Sequence, residues 1–155
     1  LKRHQAHKNV YVDGLAASIA SVIAMSGDTI FMPKNSMMMI HNPWTWGIGN
    51  AAEFRKLAED LDKIRESLIA AYEGRSALTR DEIIELMNEE TWLTADECQE
   101  YGFCDVVERE KQMAACIDKT LLARYKNTPN EFLTEEPKPK HDEQLKQKIL
   151  IELEL

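Results

Sequence analysis

Residues 9–21 read Asn9-Val10-Tyr11-Val12-Asp13-Gly14-Leu15-Ala16-Ala17-Ser18-Ile19-Ala20-Ser21, and the fold turns on how they are parsed. Val10 to Val12 is a short apolar run bounded by turn formers, the pattern of a buried strand. Asp13-Gly14 makes the turn. Ala16, Ala17 and Ala20 are small enough to let a helix lie close to a sheet. The helix is expected over Leu15 to Ser26, closed by Gly27 at its C′ position. Ser18 then has two readings. It is one more small residue in a tight packing, or it is a hydroxyl presented at a helix N-terminus.

Further along, Thr29 to Met32 reads as a second strand and Pro33 to Ser36 as a turn. Met37-Met38-Met39-Ile40 is a continuous apolar run, as expected of a strand covered on both faces in an α/β sheet. It stops at His41-Asn42-Pro43, where proline ends the ladder. Asn50 to Tyr72 is a long amphipathic helix, with Phe54, Leu57, Leu61, Ile64 and Leu68 at steps of three and four. Gly74 ends it. Thr79 with Glu82, and Thr94 with Glu97, are capping-box pairs that open two shorter helices. Glu89 and Glu90 precede Thr91-Trp92-Leu93 at the end of the first of these, and Gly102 ends the second. Phe103 to Val107 reads as the last strand. From Glu108 to about Tyr125 the chain turns helical and polar. Residues 135–140 have linker composition, and Leu145 to Leu155 is a short amphipathic piece. The order of elements is α/β.

The 155 residues amount to about one domain. A chain of this size buries roughly 68–70% of its unfolded surface. The formal net charge of −8 gives nucleic-acid binding no bulk electrostatic support. Cys98, Cys104 and Cys116 match no zinc or CxxC spacing, and an odd number does not suggest a disulfide framework. A reducing, cytoplasmic setting is expected. No apolar run approaches the 18 or so residues of a membrane span, and no signal peptide is visible.

A serine hydroxyl is a weak nucleophile unless a neighbouring base takes its proton. At a helix start, Ser18 has free backbone N–H groups and the positive end of a dipole beside it. The N–H of Ile19 is placed to donate to a developing oxyanion. Ser21, one turn on, is the weaker alternative. Among the four histidines, His4 and His7 lie in a basic stretch and His141 in a charged tail. His41 stands at the lip of a buried strand, where α/β sheets often collect functional groups. A carboxylate should orient the imidazole. Glu89, Glu90 and Asp105 are the candidates, and spacing does not choose among them.

Four stretches together resemble the Clp-type serine peptidases, and more narrowly their phage relatives, the prohead or head-maturation proteases. Gly14 to Ser21 is similar to the nucleophile segment, Pro33 to Pro43 to the histidine segment, and Asn50 to Tyr72 to the long handle helix. Glu90 to Glu97, with Glu100 to Asp105, is similar to the segment bearing the third triad member. The resemblance runs in order over about residues 2–108. The Met-rich strand and the Asn42-Pro43-Trp44 that follows lean toward the phage branch.

The resemblance implies a ClpP/crotonase-like α/β fold with a handle helix and a C-terminal helical tail. It implies Ser18 as nucleophile, His41 as base, Glu90 as third member in place of the usual aspartate (Glu89 competing), and Ile19 N–H as an oxyanion donor. No cofactor or metal is implied. Expected partners are protein or peptide substrates, capsid or scaffold proteins among them, and further copies of the chain in a ring. No nucleic acid or membrane is expected to bind. Residues 1–108 would be the C-terminal part of the peptidase domain, 109–134 a helical extension, and 135–155 a charged linker and short helix. The family's Gly-Gly oxyanion segment has no counterpart here, so the chain reads as N-terminally truncated. Two other readings are a non-catalytic assembly or scaffold-binding module and a crotonase-like acyl-CoA enzyme; the latter needs no Ser18 and His41 pair.

Overall fold

A computed structural model of the chain describes residues 1–111 and 119–133. Cys116, His141, the linker at 135–140 and the terminal piece at 145–155 lie outside the described residues. The elements run β1 (Asn9–Tyr11), β2 (Leu15–Ala17), α1 (Ile19–Ala24), β3 (Thr29–Pro33), β4 (Met37–Ile40), α2 (Ala51–Glu73), α3 (Arg80–Asn88), β5 (Thr91–Thr94), α4 (Ala95–Glu100), β6 (Val106–Glu108), α5 (Lys119–Leu122) and α6 (Asn130–Leu133). The architecture is mixed α/β.

Two three-stranded sheets form among the described residues. One has the order β1-β3-β6, with both pairs parallel. The other has the order β2-β4-β5; β2 runs parallel to β4, and β5 antiparallel to it. The apolar run of β4 is central in its sheet, with Met38, Met39 and Ile40 fully buried. A buried central strand needs backbone partners on both edges, and two departures from the sequence reading supply them. Leu15–Ala17 is strand β2, not the first turn of a helix, and pairs with Met37–Met39. Thr91–Thr94, between two helices, is strand β5 and pairs with the other edge. Its Thr and Trp residues are good strand formers.

Other departures are local. Helix α1 starts only at Ile19, and Gly27 is not in the left-handed conformation of a C′ glycine; Gly102 is the one glycine with positive φ. Gly27 instead permits close packing, since a Cβ there would meet Val10 Cγ2 at 2.7 Å. The last strand begins at Val106 rather than Phe103. Gly102 turns the chain at φ 80°, and the N–H groups of Phe103 and Cys104 both donate to the Cys98 carbonyl, folding them into the core.

The three longer capped helices follow one rule. Asn50 with Glu53, Thr79 with Glu82 and Thr94 with Glu97 each form a reciprocal capping box. Along α2 the expected apolar stripe is only half-covered, and Phe54 and Ile64 each remain 49% exposed. The fully buried residues of α2 are Ile69 and Tyr72, in its last turns. These join the core with Met25, Ile30, Met38, Ile83, Leu93 and Phe103. No helix among the described residues is long and apolar enough to cross a membrane.

Candidate active site

The β2-β4-β5 sheet brings three distant residues to one edge. Ala17 is paired with Met39, and the Ser18 N–H donates to the Met39 carbonyl at 3.0 Å. Ser18 therefore sits beside the end of β4. Ile40 is paired with Thr91, so one further step in that antiparallel register sets His41 across from Glu90. Asn42 holds this end down. Its N–H donates to the Met87 carbonyl, and its Nδ2 donates to Asn88 Oδ1 at 2.8 Å.

Ser18 is the N-cap residue of α1, where a serine hydroxyl ordinarily accepts from the first-turn N–H groups. Here the side chain makes no such cap bond. Ser18 Oγ lies 2.8 Å from His41 Nε2. With the ring proton on Nδ1, the hydroxyl donates to Nε2. The Ser18 backbone has φ 57° and ψ −125°, and Glu90 has φ 52°. These are the two non-glycine residues with positive φ among those described. Strained backbone persists where surrounding structure over-determines it, and such residues cluster at functional sites.

His41 is about half-buried, and burial holds its imidazole below the ordinary value while the nearby Glu90 charge opposes that shift. Glu90 acts on the ring through charge. Its Oε1 accepts a hydrogen bond from the Asn127 N–H at 2.7 Å. Glu89 is exposed, and its carbonyl accepts from Asn127 Nδ2 at 2.6 Å.

The alternatives considered from sequence are placed elsewhere. Ser21 is fully buried; its Oγ donates to the Ser18 carbonyl at 2.6 Å and lies 2.8 Å from Tyr72 Oη. Having one proton, already given to a carbonyl, Ser21 accepts from the Tyr72 hydroxyl. Burial pushes the Tyr72 phenol up to about 12. Asp105 ion-pairs with Arg75 and accepts from the Ile30 N–H, tying the other sheet together. His4 Nδ1 accepts from the Ala6 N–H, and His7 pairs with Thr29 Oγ1. Cys98 and Cys104 are free and buried, and burial raises both thiols, Cys104 to about 11. Neither is a ready thiolate.

Two clefts meet at His41. The smaller, of about 220 Å³, is lined by Ser18, Ile19, Val22, His41, Pro43, Trp44, Ile64, Leu68 and Tyr72. Its walls are mostly apolar. The larger, of about 920 Å³, runs from His41 past Trp44 and Trp46 to Glu89, Glu90 and residues 124–127. Tyr125 packs edge-on to the His41 ring at 5.2 Å between centroids. Tyr125 and Asn127 carry no signal in the sequence, because their partners, His41 for Tyr125 and Glu90 for Asn127, lie far away along the chain.

The profile of the family described as Clp protease matches residues 1–111. The chain is 33% identical over 100 residues to the ATP-dependent Clp protease proteolytic subunit 1 of Protochlamydia amoebophila, covering 62% of this chain and 48% of that one. It is 31% identical over 97 residues to the ATP-dependent Clp protease proteolytic subunit of Bacteroides fragilis, covering 61% of this chain and 46% of the relative. It is also 31% identical over 106 residues to the subunit of Pleurastrum terricola, covering 66% and 54% respectively. The chain spans about half the length of these curated relatives. With a match to the family profile over most of its length, on a mixed α/β fold, the chain belongs to the Clp protease family.

Proposed function

We propose that the chain carries the acylating half-site of a serine endopeptidase. The observation behind this reading is the 2.8 Å contact between Ser18 Oγ and His41 Nε2. Ser18 Oγ attacks the carbonyl carbon of a peptide bond while His41 Nε2 takes the hydroxyl proton. The tetrahedral oxyanion receives a hydrogen bond from the Ile19 N–H, which as the first helical donor has no intrahelical acceptor. His41 then gives its proton to the leaving amine, and the acyl-enzyme forms. Water, deprotonated by His41, releases the acid. Glu90 favours the charged imidazole in both steps. The family's Gly-Gly segment, a source of a second oxyanion donor, does not occur in this sequence, and Ile19 is the donor assigned here.

The apolar cleft beside Ser18 suits an apolar side chain next to the scissile bond. A protein or peptide with such a residue is the substrate class. Capsid or scaffold proteins of an assembling phage prohead are the narrower assignment, supported by the similarity of the Met37–Met39 strand and Asn42-Pro43-Trp44 to that branch. The half-exposed Phe54 and Ile64 of α2 support contact with further copies of the chain, as the family's handle helix makes. Hydrolysis of fluorogenic peptides with leucine or aspartate before the cleaved bond tests the reading. Preferential cleavage after leucine, lost in His41→Ala, is expected. Equal cleavage by His41→Ala would overturn it.

A further inference from the structure

We infer that Asn127, from the segment that follows the family-matched residues, is a positioning residue that holds Glu90 at His41. This inference rests on the triad reading above. Asn127 grips the Glu89-Glu90 corner in three ways. Its N–H donates to Glu90 Oε1 at 2.7 Å, and its Nδ2 donates to the Glu89 carbonyl at 2.6 Å and, more weakly, to the Glu90 carbonyl at 3.4 Å. The corner needs holding, because Glu90 has φ 52°, a costly conformation for a residue with a Cβ. One carboxylate oxygen is thereby fixed, and the carboxylate is kept from swinging into water. The same segment also packs on the base itself, through the Tyr125 ring against His41. Tyr125 is in turn held by Trp92 of β5, at 6.2 Å between ring centroids. Asn127 lies beyond residues 1–111, so the family match assigns it nothing. A fixed carboxylate orients the imidazole and stabilises its charged form, and small misplacements of such groups lower rates steeply.

The test is carried out on the full chain. The C2 proton of His41 is followed by NMR across pH in the parent and in Asn127→Ala, with circular dichroism as the folding control. Labelling of Ser18 by a fluorophosphonate probe is timed in the same samples. Glu89, Glu90, Arg124, Lys126 and Tyr125 share the larger cleft with His41, and Tyr72 the smaller. Asn127→Ala changes the charge of none of them and keeps the backbone N–H; it removes the Nδ2 hold on the Glu89 and Glu90 carbonyls, so a shift in the His41 titration reports movement of the corner that carries Glu90. The expected result is a lower His41 midpoint, since a displaced Glu90 no longer favours the imidazolium, and labelling about ten- to a hundredfold slower. Asn127→Gln, which keeps the amide donors, should recover part of both. Asn127→Ser, lacking the amide's reach, should shift the midpoint in the same direction and serves if Asn127→Ala does not fold. An unmoved midpoint in a folded variant overturns the inference while leaving the triad reading intact wherever the parent is labelled. A moved midpoint in a chain whose Ser18 is never labelled supports the positioning role and overturns the peptidase reading.

Discussion

Ser18 Oγ and His41 Nε2 stand 2.8 Å apart across 23 residues of sequence. The pairing of β2 with β4 brings them together. The Ser18 N–H bond to Met39 anchors the serine, while His41 leaves the same strand two residues later. The unused cap position at Ser18 leaves its hydroxyl to the histidine alone.

His41 should set the acid limb of the reaction. Burial depresses its imidazole below the ordinary value of about 6.5. The neutral base therefore persists to lower pH, and the rate of Ser18 acylation should fall only below that value. Glu90→Gln removes the charge that favours imidazolium, so the limb should move lower still as the maximal rate drops. Stability carries the matching sign. Below about 6.5 the unfolded chain binds a proton that the native His41 resists, so this contribution to stability is lost as pH falls toward the depressed native value. Rate–pH profiles of the parent and Glu90→Gln check the first claim, and urea melts at several pH values the second.

Ser21 and Tyr72 form a buried pair beneath the nucleophile, and the two ends are unequal. Ser21→Ala leaves the buried Tyr72 hydroxyl without its acceptor, while the Ser18 carbonyl keeps the Ser21 backbone N–H, at a cost of about 1–3 kcal/mol. Tyr72→Phe leaves the Ser21 bond to Ser18 intact and should cost less, on the order of 1 kcal/mol. Chemical denaturation measures both. Both variants should still be labelled at Ser18, which separates the supporting serine from the reacting one.

The backbone of Ser18 predicts a trade between stability and activity. A residue at φ 57° and ψ −125° carries strain that glycine does not. Ser18→Gly should abolish acylation and raise unfolding stability by about 1 kcal/mol, the relief of strain less the entropy cost of glycine. Thermal denaturation beside Ser18→Ala checks it, because alanine removes the hydroxyl and keeps the strain.

Much of this site could be read along the chain. Ser18 and His41 stand at abrupt changes of pattern, from small residues to a helix and from an apolar strand to a proline turn. The capping boxes at Thr79 and Thr94 are local chemistry and were legible for that reason. Strand β2 was hidden because Leu-Ala-Ala is good helix sequence, and only the need of β4 for an edge partner overrides that propensity. Strand β5 was hidden by its shortness, and with it the register that sets Glu90 across from His41. Phe103 and Cys104 looked like strand because they are apolar, but Gly102 turns them into the core. Asn127 had no signal at all, since its role consists of contacts made across the fold.

The most direct measurement is labelling with a fluorophosphonate probe, followed by peptide mapping in a mass spectrometer. The expected result is an adduct on Ser18, none on Ser21, and a loss of labelling rate on the order of 10⁶-fold in His41→Ala. An adduct on another residue, or labelling of Ser18 at the parent rate without His41, would contradict it.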